Sequence, residues 1–315
     1  MQAILINLGI LIAGFVLLIK GADFFVKGAS TIARKFGVPQ IVIGLTVVAM
    51  GTSAPEAAVS ISAAISGNAD ITIGNVVGSN IMNVLLILGI TALIAPIAVD
   101  RVAVKVDMPF MLGISLLLLP RGMIGHNVNR WEGMLLLAIF TAYLIYLFRR
   151  AMKDSTEEDD MRPTYGQGSM WMILWTVLGL AMIVFGSRFI VHSASEIALA
   201  FGVSQRMIAL TIVAFGTSLP ELVTSATAAR RGNTGLAIGN IVGSNIFNIL
   251  FVTGLTAAIT PVAFRTAFMI DTGVAAFAAL MLWLFSLKSH RLGRISGGVM
   301  LFCYAAYFAF VLFLK

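Results

Sequence analysis

Charge is what this chain has least of. Only 11% of its 315 residues are Asp, Glu, Lys or Arg, against about a quarter in a typical soluble domain, which excludes an ordinary water-soluble globule. One cysteine, Cys303, excludes an intrachain disulfide and a thiolate metal cluster. The histidines number three, His126, His192 and His290. All fall in loops or near the ends of apolar runs, where solvated positions are expected. No histidine or lysine therefore stands in the apolar interior to activate Ser53 or Ser218 as a nucleophile, and an intramembrane enzyme is not expected. The net charge is +7, but the basic residues punctuate short loops without clustering on a polar domain. A nucleic-acid partner is not expected either. Nothing in the composition points to a cofactor or an obligatory protein partner.

What the chain has instead is apolar length. Successive runs of some 18–25 residues, at about 1.5 Å per helical residue, match a hydrocarbon core roughly 30 Å thick. Lacking the alternation of a barrel strand, they read as helices. The expected fold is an all-α polytopic membrane protein. Ten transmembrane helices are expected over about 3–23, 40–64, 71–95, 105–124, 130–149, 170–190, 205–229, 236–260, 267–287 and 294–314. The first and sixth are expected to run on through Phe24–Lys35 and Phe189–Ala200. No lysine or arginine precedes Lys20, so the opening apolar run is expected to be a span and not a signal peptide.

The two halves repeat at a constant offset of 165 residues. Gly21 matches Gly186, Phe36-Gly37-Val38 matches Phe201-Gly202-Val203, and Pro96 matches Pro261. Gly51-Thr52-Ser53-Ala54-Pro55-Glu56 returns as Gly216-Thr217-Ser218-Leu219-Pro220-Glu221. Gly78-Ser79-Asn80-Ile81 returns as Gly243-Ser244-Asn245-Ile246, and Asn83 as Asn248. Five spans separate equivalent points, an odd number, so the expected arrangement is two inverted five-helix repeats, 1–150 and 170–315, joined by an acidic linker, 151–169. One set of loops carries 15 lysines and arginines: Lys20, Lys27, Arg34, Lys35, Arg101, Lys105, Arg149, Arg150, Lys153, Arg162, Arg230, Arg231, Lys288, Arg291 and Arg294. The opposite side carries 6: Arg121, Arg130, Arg188, Arg206, Arg265 and Lys315. The positive-inside rule then places the linker in the cytoplasm and both termini outside, in a multi-pass protein of the cell membrane. The acidic stretch Asp154–Asp160 lacks a calcium-loop pattern and reads as a solvated linker.

Two glutamates near the middle of apolar spans are the costly feature, since a charged side chain at that depth costs about 2.5–3.5 kcal/mol on insertion scales. Pro55 and Pro220 deprive the carbonyls of Gly51 and Gly216 of a helical donor. Carbonyls around Ala49–Thr52 and Ala214–Thr217 then need partners. The hydroxyls of Thr52, Ser53, Thr217 and Ser218 stand beside them. Ser79 shares a helix face with Asn83, and Ser244 with Asn248. Should the halves meet about a twofold axis in the membrane plane, Glu56 and Glu221 converge. The resulting donors are all oxygen, suited to hard cations such as Ca2+ and Na+ and not to zinc or copper. Asn75, Asn80, Asn240 and Asn245 are expected chiefly to hold helices together. Asp23, Asp70, Asp107 and Asp271 are expected to serve interface or packing roles near span ends.

With these strings in view, the chain resembles the cation/calcium antiporter superfamily, and within it prokaryotic sodium/calcium exchangers, over essentially its full length. The resemblance implies Ca2+ held by Glu56 and Glu221 with the backbone carbonyls of Thr52 and Thr217. It implies sodium sites drawing on Ala49, Ser53, Ser79, Ala214, Ser218 and Ser244, with Asn83 and Asn248 nearby. Some members carry aspartate at the position of Asn248, whereas both halves here carry asparagine. The expected function is sodium-for-calcium antiport across a lipid bilayer by alternating access. Proton/calcium exchange is the alternative, and a passive cation channel is a more distant one.

Overall fold

In lipid a backbone has no partner but itself, and this chain satisfies it with helices. The computed structural model describes residues 2–67, 69, 71–124, 127–157, 169–202, 212, 214–264 and 268–314. The first half contains α1 (Gln2–Lys35), α2 (Gln40–Thr52), α3 (Ala54–Ile65), α4 (Thr72–Ile94), α5 (Met108–Ile124) and α6 (Arg130–Glu157). The second contains α7 (Ser169–Ala200), α8 (Ala214–Thr217), α9 (Leu219–Arg230), α10 (Thr234–Ile259), α11 (Phe268–Ser289) and α12 (Arg294–Leu314). Among the described residues eight helices are long and apolar enough to cross a membrane, or nine when α2 and α3, bent by 48° at Ser53, count as one. The protein is thus a predominantly helical polytopic membrane protein. Of the expected seventh span, residues 205–211 and 213 lie outside the described residues, as do Asp70, His126, Arg162 and Arg265 and the 158–160 part of the acidic stretch.

Both α1 and α7 run on past the apolar stretch as expected, and they pack against each other through glycines. A Cβ on Gly179 would meet the Phe25 backbone N at 2.5 Å, and one on Gly186 would meet the Leu18 N at 2.7 Å. Small residues spaced this way let membrane helices approach backbone to backbone. The outer faces, including Leu5, Ile12, Val16, Ile173 and Val177, remain exposed, as suits contact with lipid. One apolar cluster therefore centres on α1 and α7, and a second, larger one on α4, α5, α6, α10 and α11.

Four two-residue strands tie the halves crosswise. β1 (Ile97–Ala98) pairs antiparallel with β4 (Arg291–Leu292), and β2 (Asn127–Val128) with β3 (Val262–Ala263). His290, expected to be solvated, is instead half-buried before β4 at φ 47°, where its carbonyl accepts the Val99 N–H at 2.8 Å. His192 is exposed. Of the aspartates expected at interface or packing positions, Asp107 and Asp271 are buried and Asp23 is partly exposed. Asp107 accepts from Tyr143 Oη and Arg150 Nη1, each at 3.0 Å, and Arg150 Nη2 reaches Asp100 at 2.6 Å. Asp271 accepts from Tyr307 Oη at 3.0 Å.

The core helix α10 crosses α2 at another glycine contact. A Cβ on Gly239 would lie 2.6 Å from the Ile41 carbonyl oxygen and 3.0 Å from Gly44 Cα, with backbone on both sides that cannot rotate away. Gly239→Val should therefore destabilise the protein by at least about 1–3 kcal/mol, read as a lowered thermal midpoint in detergent. Gly273→Val should leave that midpoint nearly unchanged, since a Cβ there meets nothing within 4 Å.

Candidate cation site

The two proline–glutamate strings do the same thing to the backbone. Ser53 (φ −83°, ψ 6°) and Ser218 (φ −91°, ψ 2°) leave the helical region, and new helices begin at Ala54 and Leu219. Pro55 and Pro220 fall at the second residue of those helices, where a missing N–H costs nothing. Glu56 and Glu221 then occupy the first turn, where the helix dipole favours negative charge. Each is 1% exposed.

The breaks meet by exchanging side chains. Ser53 Oγ donates to Glu221 Oε1 at 2.8 Å, and Ser218 Oγ donates to Glu56 Oε1 at 3.3 Å. Thus the hydroxyl preceding each glutamate serves the glutamate of the other half. Thr52 Oγ1, fully buried, lies 3.0 Å from Asn240 Oδ1 and 3.1 Å from the Val48 carbonyl. Ala49 is also fully buried. Its carbonyl accepts the Ser53 N–H at 3.0 Å, and Ser244 Oγ approaches it at 3.5 Å. Ser79 is buried at the matching place in the first half. Thr217 is half-buried, and of Ala214 the helical backbone is described. The Gly216 carbonyl, deprived of its helical donor, is taken by Ser187 Oγ at 2.6 Å, a partner with no counterpart in the first half, where residue 22 is alanine.

Four asparagines brace this arrangement as the sequence suggested. Asn75 Nδ2 donates to the Glu56 carbonyl at 3.1 Å and to Ser60 Oγ at 2.9 Å. Asn240 Nδ2 does likewise with the Glu221 carbonyl and Ser225 Oγ, at 3.5 and 2.9 Å. Asn80 Nδ2 donates to the Asn245 carbonyl and Asn245 Nδ2 to the Asn80 carbonyl, each at 3.3 Å. A backbone carbonyl only accepts, so these two bonds fix both amide orientations. The Oδ1 atoms of Asn245 and Asn80 must then face Asn83 Nδ2 at 3.0 Å and Asn248 Nδ2 at 3.2 Å. That turns the Oδ1 of Asn83 and of Asn248 away from the network. Sequence periodicity grouped Ser79 with Asn83, but it had no signal for this amide quartet across the halves.

Four oxygens are left over. Glu56 Oε2, Glu221 Oε2, Asn83 Oδ1 and Asn248 Oδ1 are all buried and accept no hydrogen bond. Leaving one buried acceptor unmet costs about 1–3 kcal/mol, and more for a charged one, so such a set marks a place built for something else to fill. Among the described residues no three His, Cys, Asp or Glu side chains cluster. A cation at this place would have two carboxylates and otherwise neutral oxygens, the donor chemistry of hard ions.

The sequence model described as sodium/calcium exchanger protein matches residues 6–149 and 171–313. The chain belongs to that family. It is 42% identical over 310 residues to the Alkalimonas amylolytica protein CaxA, covering 94% of this chain and 95% of that one. It is 35% identical over 345 residues to the sodium/calcium exchanger MaX1 of Methanosarcina acetivorans, covering 96% and 98%. Its fold matches a solved structure of the sodium-calcium exchanger NCX_Mj with a TM-score of 0.86 at 32% identity, over 97% of this chain and 99% of that one. The chain is therefore a multi-pass membrane protein of a cation/calcium antiporter family, and not an enzyme.

The crossed serine–glutamate bonds make a direct prediction. Ser53→Ala strips Glu221 Oε1 of its donor, and Ser218→Ala does the same to Glu56. Each should lower stability in the absence of divalent cations by about 1–3 kcal/mol, with saturating Ca2+ recovering part of the loss. Thermal unfolding in detergent with and without Ca2+ checks this.

Proposed function

We propose that the protein exchanges sodium for calcium by alternating access around Glu56 and Glu221. The observation that carries the reading is the set of four buried oxygens without a hydrogen-bond partner among the described residues, Glu56 Oε2, Glu221 Oε2, Asn83 Oδ1 and Asn248 Oδ1. In this reading Ser53, Ser218, Ser79, Ser244 and the carbonyls of Thr52, Ala49, Thr217 and Ala214 complete the donor set. Two ionised carboxylates held together repel when the place between them is empty. One Ca2+ relieves the repulsion, and so do sodium ions shared among the carboxylate, hydroxyl and amide oxygens. The empty, doubly charged state crosses the low-dielectric interior poorly, and this makes the two ion movements obligatory partners. In this reading ten spans form two inverted five-helix repeats with both termini outside. The names of MaX1 and NCX_Mj as sodium/calcium exchangers support the choice of ions.

Protons are the competing counter-ion. A proton on Glu56 Oε2 or Glu221 Oε2 neutralises the same charge, and the asparagines at 83 and 248 leave the centre with two acidic groups. Calcium-45 uptake into proteoliposomes separates the two. A sodium gradient at clamped pH should drive uptake, and a pH gradient without sodium should not; the reverse pattern overturns the sodium reading. Glu56→Gln and Glu221→Gln should each cut this uptake by at least about 30-fold, corresponding to about 2 kcal/mol at a buried charge. Wild-type uptake in either variant would remove the glutamates from the site.

Asn248→Asp examines the amide network and the ion choice together. The new carboxyl puts an acceptor against Asn80 Oδ1, where an N–H stood at 3.2 Å, so it fits only when protonated or with a cation between them. The sodium or proton dependence of uptake should shift. An unchanged profile would show that Asn248 takes no part in binding.

A further inference from the structure

Around the matched centre the two halves differ at their edges. Between α7 and α3 lies a crevice of about 420 Å³ lined by Pro55, Val59, Arg188, His192, Ser195 and Thr217. Its floor reaches the residues on either side of the serine–glutamate exchange. The equivalent place in the other half, between α1 and α9, is shut. Val26, Ala29 and Ser30 are at most 1% exposed there, while their counterparts on α7, Val191, Ala194 and Ser195, are half-buried. Ala22 and Phe25 and their counterparts Ser187 and Ile190 are buried on both sides.

Apolar packing among Phe25, Val26, Ala29, Leu219, Ala228 and Ala229 fills that place, and polar bonds fasten it. Arg231 Nε and Nη2 donate to Asp23 Oδ1 at 3.2 and 2.7 Å, and Asn233 Nδ2 donates to Ser30 Oγ at 2.9 Å. These bonds join α1 to the turn Arg231-Gly232-Asn233 between α9 and α10. On the crevice side the offset of 165 puts Arg188 where Asp23 stands, Ser66 where Arg231 stands and Asn68 where Asn233 stands. Asn68 lies outside the described residues. Arginine and serine form no ion pair. The counterpart of Ser30 is Ser195, whose buried Oγ has no hydrogen-bond partner among the described residues.

We propose that Asp23–Arg231, with Ser30–Asn233, is a latch that holds the α1–α9 face shut and must open when the α7–α3 crevice closes. This rests on the alternating-access reading given above. Having no ionic counterpart on the crevice side, the latch biases the resting protein toward the crevice-open state. Both partners are partly exposed, at 40% for Arg231 and 37% for Asp23, so solvent screens the pair. Its loss should move the population ratio by roughly two- to five-fold, enough to set the resting state without locking the protein.

The test uses the full-length protein with Cys303→Ser and one of two reporters, Val191→Cys on the crevice or Val26→Cys at the equivalent position on α1. Alkylation by a water-soluble thiol reagent is followed in detergent. Asp23→Asn and Arg231→Gln should each slow labelling of the Val191→Cys reporter and speed that of the Val26→Cys reporter, by about two- to five-fold. The exchange Asp23→Arg with Arg231→Asp should restore both rates. Rates that stay unchanged overturn the latch, and so do rates that rise together, which would mark a pair that merely stabilises the fold. Labelling needs no ion gradient. Opposite shifts in a protein without sodium-driven calcium flux would uphold the latch and reject the ion assignment, and unshifted rates in an active exchanger would do the converse.

Discussion

A carboxylate taken out of water must be met by donors or by a cation, and this protein buries two of them in one place. The answer it finds for half of their oxygens is reciprocal: Ser53 serves Glu221 and Ser218 serves Glu56. Neither half can meet its own glutamate in this way. The requirement joins the halves at their helix breaks, and the surrounding features follow from it. Prolines set those breaks one residue after the serine–helix junction. The glutamates stand in first turns, where backbone N–H groups favour their charge. Gly239 and Gly243 bring α10 against α2 at backbone distance, which carries Asn240 and Ser244 to the same centre.

The amides complete the frame by a chain of forced choices. Because the outer bonds of Asn80 and Asn245 end on backbone carbonyls, no member of the quartet can flip without losing a bond. Aspartate in place of Asn83 or Asn248 could not donate to its partner unless protonated. Asparagine is thus the residue that both holds the helices and leaves one oxygen bare. The same side chain packs through its nitrogen and keeps a buried oxygen unpaired among the described residues, so a structural role does not exclude the proposed binding role at these two positions.

How far the sequence reached differs by the kind of signal. Residues of the duplicated strings meet across the halves because their spacing is local, three from serine to glutamate and four from Ser79 to Asn83, and helices convert such spacing into a shared face. Span existence was legible for the same reason, since apolar length suffices. The crosswise strand pairs were not legible: two residues each carry no pattern, and their partners are about 195 and about 135 positions away. The Arg150–Asp107–Tyr143 network was hidden similarly. Arg150 read as one of many loop cations, and only the tertiary approach of α6 to the Ala103–Asp107 segment brings it inward. Nor could the sequence show that Ser187 takes the carbonyl freed at Pro220, because that bond depends on where α7 sits and not on its local string.

Matched centre and mismatched edges have different physical consequences. In the proposed alternating-access cycle, a centre built from equivalent residues of two halves would present nearly the same oxygens whichever side faces solution, so its preference for an ion would change little with orientation. Resting orientation must then be set elsewhere, by contacts that differ between the two faces. At the edges the repeat relaxes: Asp23 has Arg188 as its counterpart, Arg231 has Ser66, and Lys27 has His192. In the proposed latch, substitutions there would move the balance between faces without altering any oxygen at the centre. On the proposed reading, ion choice and resting orientation could then vary independently along one duplicated chain, because separate sets of residues would determine them.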